Sequence, residues 1–309
     1  MGIRPLLRIL LGWFSAMLAE NVVGTILIVA YALATGGAAR LHQITQTGGT
    51  ALAPYALVLL TGAASPAVWL WVWFYRRRVD KGSFLDLGLR GRGRAVRFAV
   101  GWFCGLVAPG LVLAAGLLTR CYLWGGAALN EGAGPETTLG AWIVLLPLAF
   151  IVQGSAEELL ERGYLQRSLW EWRSGTPHRV AWALLVPSLL FSLSHLANPG
   201  FGPIPFVNTV LIGILFACFT LSTGSLWLAI GIHGGWNFGL SVVWSLPVSG
   251  VRLMHILPVR IAPGASVLFG GEYGPEGGLA VTLLVIALLS WALPRALDVA
   301  AGDGHVSSG

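Results

Sequence analysis

Long apolar segments alternate with short polar ones along almost the whole chain. Because a hydrocarbon core about 30 Å thick needs about 20 apolar residues of helix, each long segment predicts a membrane-spanning helix. Eight segments meet this requirement: Leu6–Ala34, Pro54–Tyr75, Ala95–Leu118, Leu139–Ala156, Val180–Leu196, Ile204–Ser222, Leu226–Leu246 and Gly278–Leu293. The pattern therefore predicts an all-α fold, a polytopic transmembrane helical bundle of about eight spans.

The first apolar segment also has features of a secretory signal peptide, because Arg4 and Arg8 precede it. A cleaved signal has a shorter apolar core that ends at a small-residue cleavage site. Here the apolar run continues past Glu20 to about Ala34. We therefore expect a first helix that is retained.

The composition indicates a lipid environment. Charged residues make up 10% of the 309 positions and hydrophobic residues 56%, whereas a soluble domain carries about 25% charged residues. The net charge of +6 does not indicate a nucleic-acid partner, because the basic residues cluster between the apolar segments. Three cysteines offer neither a disulfide framework nor a CxxC metal site. These observations exclude a cytosolic enzyme, a nucleic-acid-binding protein and a disulfide-stapled secreted domain.

The distribution of Lys and Arg predicts the orientation of the bundle. If the N-terminus is cytoplasmic, the inside segments hold 15 of these residues and the outside segments hold 4. Positive residues accumulate on the cytoplasmic side of membrane proteins. Both termini are therefore expected to be cytoplasmic. As a separate expectation, the chain crosses a prokaryotic plasma membrane several times.

Polar side chains that interrupt the spans are candidates for function. Each ionisable group costs about 2.5–3.5 kcal/mol on insertion scales, so such groups face a protein interior or a water-filled cavity. Besides Glu20 in the first span, they lie in the segment Glu157–Arg162, at His195, and at His233 with Asn237. Taken singly, each has an ordinary structural explanation: an ion-paired surface helix, an interfacial histidine or an interhelical hydrogen bond.

The acidic cluster at the end of the fourth span combines two kinds of carboxylate. Glu158 and Arg162 are four residues apart, so they share a helix face and form an ion pair in the favoured order. Glu157 points about 100° away from that face. Its carboxylate is therefore free to face a cavity, where it can take a proton from water as a general base.

The histidines complete the pattern. Phe191 and His195 are also four residues apart, which places the aromatic ring behind the imidazole. His233 and Asn237 share one face of the seventh helix. The opposite face carries glycines that allow a neighbouring helix to approach closely: Gly231, Gly235 and Gly239. Together, Glu, two His and Asn suit water activation and stabilisation of an oxyanion, so we predict one site built from three helices.

These residues resemble the three motifs of the CPBP intramembrane proteases, also called the CAAX protease and bacteriocin-processing or Abi family. The motifs EExxxR, FxxxH and HxxxN occur in that order as Glu157–Arg162, Phe191–His195 and His233–Asn237. The resemblance covers about residues 139–240. It implies a membrane-embedded endopeptidase that acts on a membrane-associated peptide or protein within the lipid bilayer, without nucleic acid.

The resemblance also implies a role for each motif residue. Glu157 and His195 would activate the attacking water, and His233 and Asn237 would stabilise the oxyanion. The residues that would organise the site are Glu158, Arg162 and Phe191. The chain would then divide into residues 1–138, with three helices and a basic cytoplasmic loop, residues 139–246, the catalytic core, and residues 247–309, with an external loop, the last helix and a cytoplasmic tail.

Two features of the resemblance bear on chemistry and specificity. The position of Glu161 is commonly apolar or aromatic in the family, and an extra acid there can pair with Arg162 or Arg167 and alter substrate preference. The family is often called a metalloprotease family, and Glu157, His195 and His233 are the candidate ligands for a possible zinc ion. Because the chain has no HExxH motif, we favour metal-independent hydrolysis and leave zinc open.

Two other functions fit the same sequence. A proton-coupled membrane transporter also places Glu and His within its spans, although the chain lacks evident paired halves with interrupted helices. A non-catalytic membrane scaffold or immunity protein would keep the motifs without turnover.

Overall fold

The computed structural model describes residues 3–47, 52–125, 139–253 and 257–306. As predicted, the protein has an all-α polytopic fold, and each of the eight apolar segments is helical over most of its length. The α-helices are α1 Ile3–Gln46, α2 Pro54–Ala64, α3 Pro66–Arg78, α4 Arg94–Leu118, α5 Leu139–Glu158, α6 Arg167–Trp172, α7 Arg179–Leu193, α8 Pro203–Thr223, α9 Trp227–Phe238, α10 Ser266–Phe269 and α11 Leu279–Val306. Two π-helical segments, Leu159–Gln166 and Gly239–Val243, continue α5 and α9.

Five helices among the described residues are long and apolar enough to cross a membrane. They are Ile3–Gln46, Tyr55–Arg78, Arg94–Leu118, Pro203–Thr223 and Leu279–Gly302. Helix α7 is also apolar but shorter. The total of eight spans and the cytoplasmic position of both termini stay predictions.

Helix α1 is longer than its predicted span and has two distinct faces. It continues beyond Ala34 to Gln46, past a break at Gly37 where φ is 62° and ψ is −152°, a conformation that glycine adopts without steric penalty. The outward face carries exposed apolar side chains: Leu7, Leu11, Phe14 and Leu18. On the inward face, Gly12 and Ala16 are buried against the rest of the bundle.

The second predicted span is divided into α2 and α3 at the junction of Ser65 and Pro66. Proline has no N–H and interrupts the helical hydrogen-bond ladder. At this junction the single Ser65 hydroxyl proton has two acceptors within reach, the Thr61 carbonyl oxygen at 2.9 Å from Oγ and Glu20 Oε1 in α1 at 2.8 Å. The junction thus places a donor opposite Glu20.

The predicted glycine face of α9 packs against α4, as the spacing indicated. A Cβ atom on Gly231 would clash with the Phe98 carbonyl oxygen, and one on Gly235 would clash with that of Trp102. On α4, a Cβ atom on Gly101 would likewise clash with the backbone of α9. Because no side chain separates the two backbones, α9 is held firmly and its other face is directed into the bundle.

The described residues between α9 and α11 are attached to the rest of the fold by strand pairing and by hydrogen bonds. Within the described residues, strand β2 (Val259–Ile261) of this segment pairs antiparallel with β1 (Tyr122–Trp124). The Glu276 carboxylate accepts hydrogen bonds from Trp236 Nε1 at 2.9 Å and from Ser249 N and Oγ at 2.7 and 2.9 Å. These bonds attach the segment to α9 one turn beyond His233.

Candidate functional site

A cavity of about 640 Å³ lies inside the helix bundle. All four side chains predicted to be catalytic line it: Glu157, His195, His233 and Asn237. They come from α5, from the turn after α7 and from α9. The structure therefore brings together residues that are up to 80 positions apart in the sequence.

Helix α5 ends in two adjacent carboxylates with different surroundings. The Glu158 side chain is fully buried, whereas 25% of the Glu157 side chain is exposed. Glu157 lines the cavity and Glu158 does not. One turn earlier, Gln153 Nε2 donates to Glu157 Oε1 at 3.1 Å. The divergence predicted from the helical angle is therefore present, and Gln153 holds the cavity-facing carboxylate.

Glu158 binds two partners through one oxygen. Arg162 Nη1 lies 3.2 Å from Glu158 Oε1, and His233 Nδ1 lies 2.8 Å from the same atom. Because an ionised carboxylate only accepts hydrogen bonds, Nδ1 carries the proton in this contact. The other ring nitrogen, Nε2, lies 3.6 Å from Glu157 Oε2. Glu158 thus fixes the orientation of His233, a contact that spacing along the chain did not indicate.

The Arg162 guanidinium is enclosed by aromatic rings. Its Cζ atom lies 4.6 Å from the ring centroid of Phe191 and 5.6 Å from that of Phe216. The Phe191 ring also lies 4.7 Å from the His195 ring and 6.1 Å from the His233 ring, centroid to centroid. Phe191 therefore contacts the buried cation and both imidazoles, and cation–π attraction stabilises the buried charge.

The winding of the helix after Glu158 is a feature that the sequence did not reveal. Residues Leu159–Gln166 form a π-helix, and all eight are buried. This burial is inconsistent with an exposed, ion-paired surface helix, the alternative for this motif. π-helical turns inside α-helices are frequent at functional sites. Here the turn carries Arg162 at the point where it contacts Glu158.

His195 follows the end of α7 and is oriented by the backbone. Its Nδ1 atom lies 2.7 Å from the Phe191 carbonyl oxygen and 3.2 Å from Ser194 Oγ. The predicted contact between Phe191 and His195 is confirmed by their edge-to-face rings. With Nδ1 engaged by the backbone, Nε2 is the nitrogen left for a water molecule or a substrate in the cavity.

Asn237 lies one turn after His233 on α9, and both residues line the cavity with less than a tenth of their surface exposed. Helix α5 approaches this part of α9 at Gly154, where an added Cβ atom would lie 3.2 Å from His233 Cγ. The close approach of the two helices brings His233 within reach of both carboxylates.

The prediction that Glu161 pairs with Arg162 or Arg167 is wrong. Arg167 pairs with Glu171 at 2.8 Å, and Arg162 is bound to Glu158. Glu161 is buried, and its Oε1 atom accepts a hydrogen bond from Trp13 Nε1 in α1 at 2.7 Å. The extra acid is therefore held by the first helix, which lies outside the three motifs.

The three candidate zinc ligands do not form a metal site. In the part of the chain that the structure describes, no group of three or more His, Cys, Asp or Glu side chains is arranged to hold a metal ion. Because the three side chains are not arranged as a metal-binding group, we derive no chemical step through zinc.

Other polar residues in the cavity were not predicted as part of the site. Gln153 is detectable from sequence only by its spacing of four residues before Glu157. Glu276 also lines the cavity, but it is 40 positions from its partner Trp236, and no local pattern indicates their contact. Glu20 was recognised as a costly residue in a span, without an assignment to this site.

These observations define a multi-pass membrane protein with a polar site enclosed by its helices. Residues 139–239 match the family model described as type II CAAX prenyl endopeptidase Rce1-like. The matched segment is about a third of the chain, and the match supports a CPBP/CAAX intramembrane protease family. No match to the chain was found among curated proteins or among solved structures.

Proposed function

We propose that the protein hydrolyses a peptide bond of a membrane-associated protein or peptide inside its cavity. The observation that carries this proposal is the convergence of Glu157, His195, His233 and Asn237 on one cavity. The family match supports it, because all four residues lie within the matched segment and the family is one of proteases. The remaining lining of the cavity is mainly apolar, which suits a substrate segment that arrives from the bilayer.

Glu157 is the general base of this proposal. Its carboxylate faces the cavity and is positioned by Gln153, whereas the Glu158 carboxylate is bound to Arg162 and His233. A water molecule between Glu157 and His195 loses a proton to Glu157 as its oxygen attacks the carbonyl carbon. The same proton then passes to the leaving amine, so the base is restored at the end of each turnover.

His233 and Asn237 stabilise the negative charge that develops on the carbonyl oxygen. The Asn237 amide can donate one hydrogen bond, and protonated His233 can donate a second through Nε2. Donors that are fixed before the reaction lower the barrier because they need no reorganisation during it. Glu158 contributes by holding His233 through Nδ1, and Arg162 contributes by holding Glu158.

The test compares the full-length wild type with Glu157→Gln. Because the substrate is unidentified, the readout is the membrane proteome of cells that express either form, followed by cleavage of any differing protein by the purified enzymes. We expect Glu157→Gln to abolish cleavage while the unfolding temperature stays near that of the wild type. Glu272→Gln, which changes an exposed carboxylate outside the cavity, is the matched control and should cleave normally.

Two results would contradict the proposal. Cleavage that survives in both Glu157→Gln and His195→Ala would show that the site lies elsewhere. Proton flux into sealed vesicles that contain the purified protein, without cleavage of any membrane peptide, would favour a transporter instead.

A further inference from the structure

The first helix is joined to the π-helical segment Leu159–Gln166 by a hydrogen bond between side chains. Trp13 Nε1 donates to Glu161 Oε1 at 2.7 Å. Only 3% of Glu161 is exposed, so water has little access to this acceptor. Trp13 lies in α1, far outside the residues 139–239 that match the protease family. The hydrogen bond therefore links the proposed catalytic core to a helix that has no role in the chemistry described so far.

The residue before Trp13 makes a second contact with the same segment. A Cβ atom on Gly12 would overlap the hydroxyl oxygen of Tyr164 and would lie 2.7 Å from Cε1 of Tyr75 in α3. The rings of Tyr75 and Tyr164 pack edge to face, with centroids 5.9 Å apart. Tyr164 is thus enclosed between α1 and α3, so α1 holds the π-helical segment by packing as well as by the hydrogen bond.

The π-helical winding of this segment depends on contacts with other helices. π-helices are rare and occur mostly as single turns inside α-helices, so tertiary contacts must favour this winding over the α-helix on either side of it. All eight residues of the segment are buried. At its end, Gln166 Nε2 donates to the Ala217 carbonyl oxygen in α8 at 3.0 Å. Helix α8 therefore holds the end of the segment, and α1 holds it at Glu161, directly beside Arg162.

The position of Arg162 determines the surroundings of a residue in the cavity. Arg162 Nη1 lies 3.2 Å from Glu158 Oε1, and the same oxygen accepts a hydrogen bond from His233 Nδ1 at 2.8 Å. All three residues are buried, so a displaced guanidinium must also displace the carboxylate that orients the imidazole. Catalysis is sensitive to such changes, because a misplacement of about 1 Å caused far from the reacting atoms can slow a reaction about 100-fold.

We propose that Trp13 is a positioning residue of the catalytic site and acts through its hydrogen bond to Glu161. The bond keeps the π-helical segment in the winding that places Arg162 against Glu158. The effect of Trp13 on catalysis rests on the proposed function, whereas its coupling to Arg162 does not. Helix α1 is then part of the catalytic unit, although it carries none of the motif residues.

The first experiment measures steady-state kinetics of the purified full-length protein on a substrate identified by the proteome comparison. Trp13→Phe keeps an aromatic ring but removes the donor, and Glu161→Leu removes the acceptor. We expect each substitution to lower kcat by about tenfold to 100-fold with little change in KM, because His233 acts on charge that develops during the reaction. The double variant should be no slower than either single variant, since both substitutions remove the same bond.

Two further variants separate positioning from a general effect on stability. Glu161→Gln should recover most of the kcat that Glu161→Leu loses, because the amide oxygen of Gln can still accept from Trp13. Trp71→Phe is the matched control: Trp71 Nε1 also donates to α1, at 2.9 Å from Ser15 Oγ, but this bond does not involve the π-helical segment. Trp71→Phe should leave kcat unchanged even if it lowers the unfolding temperature.

Two kinetic results would overturn the inference. Trp13→Phe with a lower unfolding temperature but the kcat of the wild type would show that Trp13 contributes to stability alone. Glu161→Gln as slow as Glu161→Leu would show that the charge of Glu161 matters and that its hydrogen bond does not.

The second experiment does not depend on cleavage, because it measures reversible unfolding of the full-length protein in mixed micelles. If Trp13 holds Arg162 in place, part of the stability that Arg162 contributes is already lost in Trp13→Phe. Arg162→Met should therefore be less destabilising in Trp13→Phe than in the wild type, but equally destabilising in Trp71→Phe. Additive losses in both backgrounds would overturn the coupling. Non-additive losses with Trp13→Phe in a protein that cleaves no peptide would support the coupling and count against the proposed function.

Discussion

The two sides of the helix end at Glu157 and Glu158 differ in burial: Glu158 and Arg162 form a buried side, and Glu157 forms a cavity side. On one side, Glu158 and Arg162 are fully buried and are bound to each other. On the other side, Glu157 is partly exposed and faces a cavity shared with His195 and Asn237. Adjacent carboxylates can therefore have opposite uses, because a buried charge needs a permanent partner whereas a base must keep an oxygen available.

The buried side also positions a residue of the cavity side. Glu158 joins Arg162 to His233, so a change in the ion pair must reach a residue that lines the cavity. Substitutions on the buried side are thus predicted to lower stability, and substitutions on the cavity side are predicted to slow the chemical step.

The largest expected effect on stability comes from Arg162→Met. Removal of the guanidinium leaves the buried Glu158 carboxylate with His233 as its remaining partner, and breaking a buried ion pair by removing one member lowers the free energy of unfolding by about 3–5 kcal/mol. The measurement is reversible unfolding of the full-length protein in mixed micelles. Arg167→Met is the matched control, because its bridge to Glu171 is about half exposed and such bridges contribute about 0–1 kcal/mol.

A double variant makes this prediction sharper. Arg162→Met combined with Glu158→Gln removes both charges and should recover part of the lost stability, since the penalty arises from the unpaired carboxylate. Equal stability losses in Arg162→Met and Arg167→Met would contradict the contrast between the buried pair of Glu158 with Arg162 and the partly exposed residues around it.

On the cavity side, Asn237→Ala should affect the rate and leave the fold intact. Loss of one oxyanion donor lowers kcat by about 100-fold to 1,000-fold, and KM should change little because the bond forms only as charge develops. The check is steady-state kinetics on a substrate identified by the proteome comparison. An increase in KM at unchanged kcat would assign Asn237 to substrate binding instead.

The sequence predicted the parts of this molecule that depend on local spacing. The glycine face of α9, the pair of Glu158 with Arg162, and the contact of Phe191 with His195 each follow from residues four positions apart on one helix. Hydropathy predicted the all-α fold for a similar reason, because the bilayer sets the length of each apolar segment.

The other features of the site depend on contacts between residues far apart in the sequence, which the spacing along one helix does not predict. The hydrogen bond from His233 to Glu158 joins residues 75 positions apart, and that from Trp13 to Glu161 joins residues 148 positions apart. The π-helical winding of Leu159–Gln166 was also missed, since the apolar period used for prediction assumes α-helical geometry. For Glu161, spacing favoured an Arg partner, but the close packing of α1 against this segment supplied Trp13 instead.

The smallest expected effect is that of metal removal. Glu157, His195 and His233 line one cavity, but within the described residues they are not arranged as a group that could hold a metal ion. We therefore expect cleavage to be unchanged after exhaustive chelation with EDTA and 1,10-phenanthroline, with metal content measured on the same sample. Loss of activity that one equivalent of zinc restores would instead mean that the cavity side rearranges into a metal site, and that Glu158 holds His233 as a zinc ligand.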